Sequence, residues 1–216
     1  MAIEVKICGI NSSEAAKAAA RSGADFVGFV FYADSPRNVT PEQAAAIAGA
    51  LPPHVKKVAL FVDADDETIA GVLAKLRFNM LQLHGDETPA RAAAVKARFG
   101  LPVMKAIKLA AASDLKAARG YYKAADRLLF DAKPPAETPG ALPGGNALAF
   151  DWELLRGYAS LMPWMLSGGL TPENVAEAIR ISGAKAVDVS SGVEDRPGHK
   201  DAAKIARFIA AARGKK

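Results

Sequence analysis

Eight short apolar or β-branched runs alternate with eight alanine-rich helical stretches along 216 residues. That alternation predicts an α/β protein whose strands pair in parallel through right-handed crossovers. Eight such units in so short a chain fit a single-domain (β/α)8 barrel over residues 1–216, the smallest version of that architecture. Length agrees, since one such barrel takes about 200–250 residues and buries a large core without staples. A doubly wound open sheet is the rival, but it does not call for eight regular units.

Taken in order, the first strand is expected at 3–8 and the first helix at 13–22, opened by a polar cap at Asn11 or Ser12. A strand at 25–31 leads into a loop over 32–39. Thr40 then caps the second helix, with Pro41 at its first position and Gln43 completing a capping box. Strand 57–62, helix 65–76, strand 79–83 and helix 88–99 follow. Strand 102–107, a helix around 112–121 and strand 127–131 come next. A Pro/Gly-rich segment at 134–149 precedes a short helix from Asp151. It is too short for a domain linker, and a long loop inside a compact unit is more often an active-site cover. Strand 164–166, a helix from the Thr171-Pro172 cap to about 181, strand 185–189 and helix 200–212 complete the series.

Composition narrows the function classes. There are 28 Lys+Arg against 23 Asp+Glu, a net charge of +5, and no basic block is interleaved with aromatics, so nucleic acid is not the expected partner. The surplus suits an anionic small substrate, and part of it is terminal, at Arg213, Lys215 and Lys216. One cysteine excludes an internal disulfide, and three scattered histidines (His54, His84, His199) make a metal site unexpected. No apolar run reaches the roughly 18 residues of a membrane span, and no signal peptide is visible, so a cytoplasmic protein is expected. The oligomeric state is not legible.

In a barrel of this kind the chemistry sits at the C-terminal strand ends and the loops after them. Cys8-Gly9, Arg37, His84-Gly85, Asp131, Ser167-Gly168-Gly169 and Asp188 to Gly192 all fall there. Gly168 and Gly169 follow strand seven; Ser190, Ser191 and Gly192 follow strand eight. Glycines let backbone N–H groups approach an anion, serines add donors, and the last two loops are the usual phosphate site of this fold. A lone Gly-Gly is ordinary turn chemistry; its pairing with Ser-Ser-Gly after successive strands favours phosphate. Cys8 ends strand one on the face of Lys6 and Glu4. A free cysteine is commonly an inert core residue, but a partly ionised thiol at a rim serves as a general base. Lys6 on the same face is expected to favour the thiolate. Asp131 supplies a carboxyl on the same rim, so proton transfer on a sugar phosphate is the chemistry expected. Trp152, Trp164, Phe26, Phe29, Phe31 and Phe61 read as core or loop anchors.

Lys6-Ile7-Cys8-Gly9-Ile10, Gly28-Phe29-Val30-Phe31, Ser35-Pro36-Arg37, Gln82-Leu83-His84-Gly85, Phe150-Asp151-Trp152, Leu166-Ser167-Gly168-Gly169-Leu170 and Asp188-Val189-Ser190-Ser191-Gly192-Val193-Glu194 occur in that order. With them the sequence resembles the phosphoribosylanthranilate isomerase family from residue 6 to about residue 201. The resemblance implies an Amadori rearrangement in tryptophan biosynthesis, with Cys8 as general base and Asp131 as general acid. It implies Arg37 near the anthranilate carboxylate, where a planar guanidinium suits a planar anion, and His84 and Asp188 at the substrate. The commoner reading of a rim histidine such as His84 is that it fixes its loop by hydrogen bonds. No cofactor is implied, because the substrate amine becomes its own electron sink. The family's flexible loop commonly reads Gly-Gly-x-Gly; here Gly144-Gly145-Asn146-Ala147 narrows the backbone at Ala147.

Three alternatives remain at this level. The histidine-pathway isomerase of the same chemistry uses an aspartate at the end of strand one, where this chain has Cys8. A ribulose-phosphate epimerase needs metal-binding histidines on several strand ends. A non-catalytic sugar-phosphate-binding barrel would keep the glycine loops without needing Cys8 and Asp131.

Overall fold

The structure is a computed structural model and describes residues 2–133 and 150–214. The segment 134–149, with its expected role as a cover, the Gly144–Ala147 variation and the terminal Lys215 and Lys216, lies outside the described residues.

Eight parallel strands close into a barrel in chain order, as the alternation predicted. They are β1 (Glu4–Cys8), β2 (Phe26–Phe31), β3 (Lys56–Phe61), β4 (Met80–Leu83), β5 (Val103–Leu109), β6 (Arg127–Ala132), β7 (Trp164–Leu166) and β8 (Ala186–Val189). Closure is made by β1 on β8, with Glu4 opposite Ala186 and Lys6 opposite Asp188. Seven α-helices surround it: α1 (Ser13–Ser22), α2 (Pro41–Ala48), α3 (Asp66–Lys75), α4 (Pro89–Phe99), α5 (Leu115–Arg119), α6 (Val175–Ser182) and α7 (Ala202–Ala212). None of these helices is long and apolar enough to cross a membrane.

Helix starts follow side-chain chemistry. Ser12 accepts the Ala15 N–H at the head of α1. Thr40 and Gln43 make the reciprocal capping box of α2, with Pro41 at the first position. Where the caps are weaker the expected boundaries shift. The eighth helical element predicted from Asp151 is a 3-10 turn, Trp152–Leu155, so among the described residues the helices number seven. Thr171-Pro172 does not start α6: Asn174 accepts the Thr171 N–H, and the helix begins at Val175. The last helix starts at Ala202, capped by Asp201, because Lys200 lies in a short hairpin of β9 (Glu194–Arg196) and β10 (His199–Lys200).

The strand alternation sorts the side chains. Val5, Ile7, Val27, Phe29, Leu81, Leu83, Leu128 and Phe130 face outward and join the core under the helices. A separate cluster of Phe26, Val58, Met104, Ala106, Leu129, Met165 and Ala186 fills the barrel interior. Each fully buried aliphatic or aromatic side chain contributes about 1.5–3 kcal/mol. The N-terminal end is closed by an ion pair from Arg127 to Glu4 at 2.8 Å. Both Arg127 and Lys56 lie over the Phe26 ring. The interior is therefore sealed below, and its polar positions crowd toward the other end.

Candidate active site

Two residues further along each inward row, the chain presents the C-terminal mouth. The inward row of β1 ends on Cys8, which packs with Val30 and Leu60 in a small cluster of its own. From the same alternation, Gln82 and His84 follow Met80, Lys108 follows Met104 and Ala106, Asp131 follows Leu129, and Asp188 follows Ala186. The mouth thus brings together Cys8, His84, Asp131 and Asp188. Lys108 pairs in register with Asp131 across β5 and β6.

Cys8 is buried, with 4 % of its surface exposed. Burial pushes its thiol up; Lys6 opposes that shift, Asp188 reinforces it, and the net direction is upward. Lys6 thus favours the thiolate, as its position suggested, but desolvation outweighs it. Burial also works to lower the Lys6 ammonium, yet Asp188 and the Cys8 sulfur outweigh it and hold Lys6 above its ordinary value. Lys6 Nζ donates to Asp188 Oδ1 at 2.9 Å. Ser167 Oγ donates to the other oxygen of Asp188 at 3.3 Å. Asp188 is thereby engaged inside the barrel. Gly28 makes room for this group, since a Cβ there would stand 2.9 Å from Cys8 Sγ and 3.2 Å from Lys6 Nζ.

Asp131 is 4 % exposed. Its Oδ1 accepts the Ala132 N–H at 2.9 Å, and its Oδ2 stands 3.0 Å from His84 Nε2. The other ring nitrogen, Nδ1, lies 2.7 Å from the Gln82 carboxamide. The His84-Gly85 turn is held from outside the barrel by Lys105, which donates to the Gly85 carbonyl at 2.7 Å and to Glu87 at 3.0 Å.

The two loops with anion-binding composition lie against each other and against Asp131. Gly168 has φ +84°, and a Cβ there would come within 2.6 Å of the Ala132 nitrogen and 3.2 Å of Asp131 Oδ1. Only glycine fits so close to the carboxyl. Asn174 fixes this loop by donating to the Gly169 carbonyl at 2.9 Å. Gly192 lies against the Leu170 carbonyl. Ser190 donates to the Cys8 carbonyl at 3.2 Å, tying the last loop to the end of β1. Ser191 and Gly192 form a 3-10 turn with Val193.

Arg37 is buried beneath this rim. Its Nε and Nη2 donate to the two oxygens of Glu194 at 2.7 and 2.8 Å. Lys200 adds a second cation to the same carboxylate at 2.7 Å and donates to the Ser190 carbonyl at 3.0 Å. Burial lowers the Lys200 ammonium to about 8, although Glu194 works against that shift. Burial alone would raise the Glu194 carboxyl, but the hydrogen bonds and charges of Arg37 and Lys200 hold it below its usual range. Sequence reasoning missed Lys108, Lys200 and the contact made by Gln82. Period-two counting along β4 and β5 points Gln82 and Lys108 inward; nothing local marks Lys200, whose partners lie in other loops.

A closed parallel barrel with a thiol, a carboxyl and paired glycine–serine loops at its C-terminal mouth defines an enzyme of the sugar-phosphate isomerase class. The family model of N-(5'phosphoribosyl)anthranilate (PRA) isomerase matches residues 5–211, and the chain belongs to that family. It is 58% identical over 214 residues to the N-(5'-phosphoribosyl)anthranilate isomerase of Paramagnetospirillum magneticum, covering 99% of each chain. It is 57% identical to that of Rhodospirillum centenum, over 98% of this chain and 99% of the relative. Among solved structures, phosphoribosyl anthranilate isomerase from Thermotoga maritima superposes with TM-score 0.87 at 40% identity, covering 98% of this chain and 99% of the other. A solved phosphoribosyl anthranilate isomerase in complex with reduced 1-(o-carboxyphenylamino)-1-deoxyribulose 5-phosphate gives TM-score 0.84 at 39% identity, with 98% of this chain and 99% of the other covered.

Proposed function

We propose that this chain, as one barrel domain over residues 1–216, catalyses the Amadori rearrangement of N-(5′-phosphoribosyl)anthranilate to 1-(o-carboxyphenylamino)-1-deoxyribulose 5-phosphate in tryptophan biosynthesis. It acts on this small molecule in the cytoplasm, without nucleic acid, membrane or cofactor. The observation that carries the reading is that Cys8 and Asp131 end inward rows of the same barrel mouth, in a chain matched to the family from residue 5 to residue 211.

Asp131 protonates the furanose ring oxygen. The C1′–O bond breaks toward that oxygen, and the amine lone pair closes a C1′=N bond. Cys8 then removes the C2′ proton, and the electrons of that C–H bond flow into the Schiff base to give the enolamine. Tautomerisation of the enolamine moves the C2′ hydroxyl proton to C1′ and gives the ketone, and the proton Cys8 took balances the one Asp131 gave, exchanged through solvent before the next turnover. The thiolate is the working base. Burial makes it scarce but strongly basic, and Lys6 is the adjacent cation that offsets its cost. The phosphate rests on Gly168, Gly169, Ser190, Ser191 and Gly192, beside Asp131. Arg37, His84 and Asp188 contribute to substrate binding, Arg37 and Asp188 from within the ion pairs described above.

The test is loss of phosphoribosylanthranilate fluorescence with the intact protein and with Cys8→Ala and Asp131→Asn. The intact protein is active, and each variant loses about 10²-fold or more. Full activity in Cys8→Ala would overturn the base, and full activity in Asp131→Asn the acid. Binding of substrate without turnover by the intact protein would leave a non-catalytic sugar-phosphate barrel in its place.

A further inference from the structure

Gln82, His84 and Asp131 form a buried file in which every hydrogen placement depends on the next. Gln82 is fully buried; His84 and Asp131 are 5 % and 4 % exposed. The carboxamide stands 2.7 Å from His84 Nδ1, and His84 Nε2 stands 3.0 Å from Asp131 Oδ2.

A neutral imidazole has one donor nitrogen and one acceptor nitrogen. With the imidazole neutral, the file has two self-consistent arrangements, which differ by one proton at Asp131. If the amide nitrogen of Gln82 donates to Nδ1, then Nε2–H donates to Asp131, which must be a carboxylate. If the amide oxygen accepts Nδ1–H, then Nε2 is a bare acceptor, and Asp131 faces it with a carboxyl O–H. As long as the imidazole stays neutral, the orientation of one amide thus sets whether Asp131 holds the proton its proposed role requires. With the amide nitrogen toward Nδ1, the Gln82 Oε1 is buried without a hydrogen-bond partner. Half a turn about the carboxamide brings that oxygen to the 2.7 Å position and gives it the Nδ1–H, with the amide nitrogen taking the place Oε1 held.

We propose that Gln82, acting through His84, is a positioning residue that holds Asp131 in its proton-donating form. Gln82 accepts Nδ1–H, His84 presents bare Nε2, and the proton of Asp131 sits on Oδ2. Oδ1 is already the acceptor of the Ala132 N–H, so the two carboxyl oxygens have different tasks. When substrate enters, the O–H turns from Nε2 to the sugar ring oxygen and gives up its proton there. The carboxylate left behind faces a lone pair, which favours its reprotonation by a solvent proton that balances the one Cys8 took from C2′. Gln82 touches neither substrate nor reacting atom in this scheme. The proposal rests on the reading of Asp131 as the general acid.

Nitrogen-15 spectra of histidine-labelled protein test it directly. The chain has three histidines, so His54→Gln and His199→Gln leave the His84 signals identified. The expected result is a proton on Nδ1 and none on Nε2 in the intact protein. In Gln82→Met, of similar volume, the proton moves to Nε2. There kcat falls about tenfold or more, with KM changed less than twofold. A packing role would leave the tautomer unchanged. A proton on Nε2, or on both nitrogens, in the intact protein overturns the proposal, and needs no variant to be seen. Unchanged kcat in Gln82→Met overturns it as well. Asp131→Asn separates the two levels: if that variant keeps full activity the acid reading fails, whatever tautomer His84 shows.

Discussion

Glu194→Ala removes a carboxylate that holds two buried cations together. Its Oε1 accepts from Arg37 Nε and Lys200 Nζ, both at 2.7 Å. Its Oε2 accepts from Arg37 Nη2 at 2.8 Å and from the Gly198 N–H at 3.2 Å. Arg37, Glu194 and Lys200 are 5 %, 7 % and 8 % exposed, so water does not screen the group well. Deleting one partner of a buried pair costs about 3–5 kcal/mol, because an uncompensated charge stays behind. Here Arg37 loses both of its Glu194 hydrogen bonds, while Lys200, already near 8 with Glu194 raising it, sheds its proton, so the expected loss lies within that range. For a chain of this size each kcal/mol is worth about 2–4 °C, so thermal unfolding should shift down by about 6–20 °C. Calorimetry on the intact protein and the variant measures it. A loss below about 1 kcal/mol, the size of a surface pair, would refute the reasoning, since it would mean that the cations are already solvated. The companion Arg37→Leu, Glu194→Leu, Lys200→Met triple variant should recover most of the loss, because no charge remains to be buried.

Two further outcomes follow from the same geometry. Gly28→Ala places a methyl 2.9 Å from Cys8 Sγ and 3.2 Å from Lys6 Nζ, so turnover should fall at least tenfold while the barrel persists. Retained turnover, with unchanged alkylation of Cys8, would show that the thiol has room to spare. Lys200 should titrate near pH 8 in nitrogen-15 spectra of the lysine side chains. Its folded value lies below its unfolded one, so the unfolded chain binds more protons between about pH 8 and 10.5, and Lys200 adds stability as pH rises through that window. In Lys200→Met that rise should disappear from the stability–pH curve, and its persistence would assign it to another group.

The sequence by itself determined the architecture and most of the residues at the mouth. Helical and strand periodicities differ, and they alternate eight times, so the barrel and the inward rows ending on Cys8, His84, Asp131 and Asp188 can be counted from local pattern. Caps with strong side-chain chemistry, such as Thr40-Pro41-Glu42-Gln43, set helix starts directly. Thr171-Pro172 misled because its turn is closed by Asn174, and the 3-10 turn after Asp151 stands where a helix was expected. Only the tertiary structure decided who pairs with whom. Arg37 and Glu194 stand 157 positions apart, and Lys6 and Asp188 stand 182 apart. Such contacts arise from strand order and closure, which carry no local signature. The balance at Cys8 belongs to the same level, because Lys6 and Asp188 pull it in opposite directions while burial, a property of the whole barrel, decides the sign.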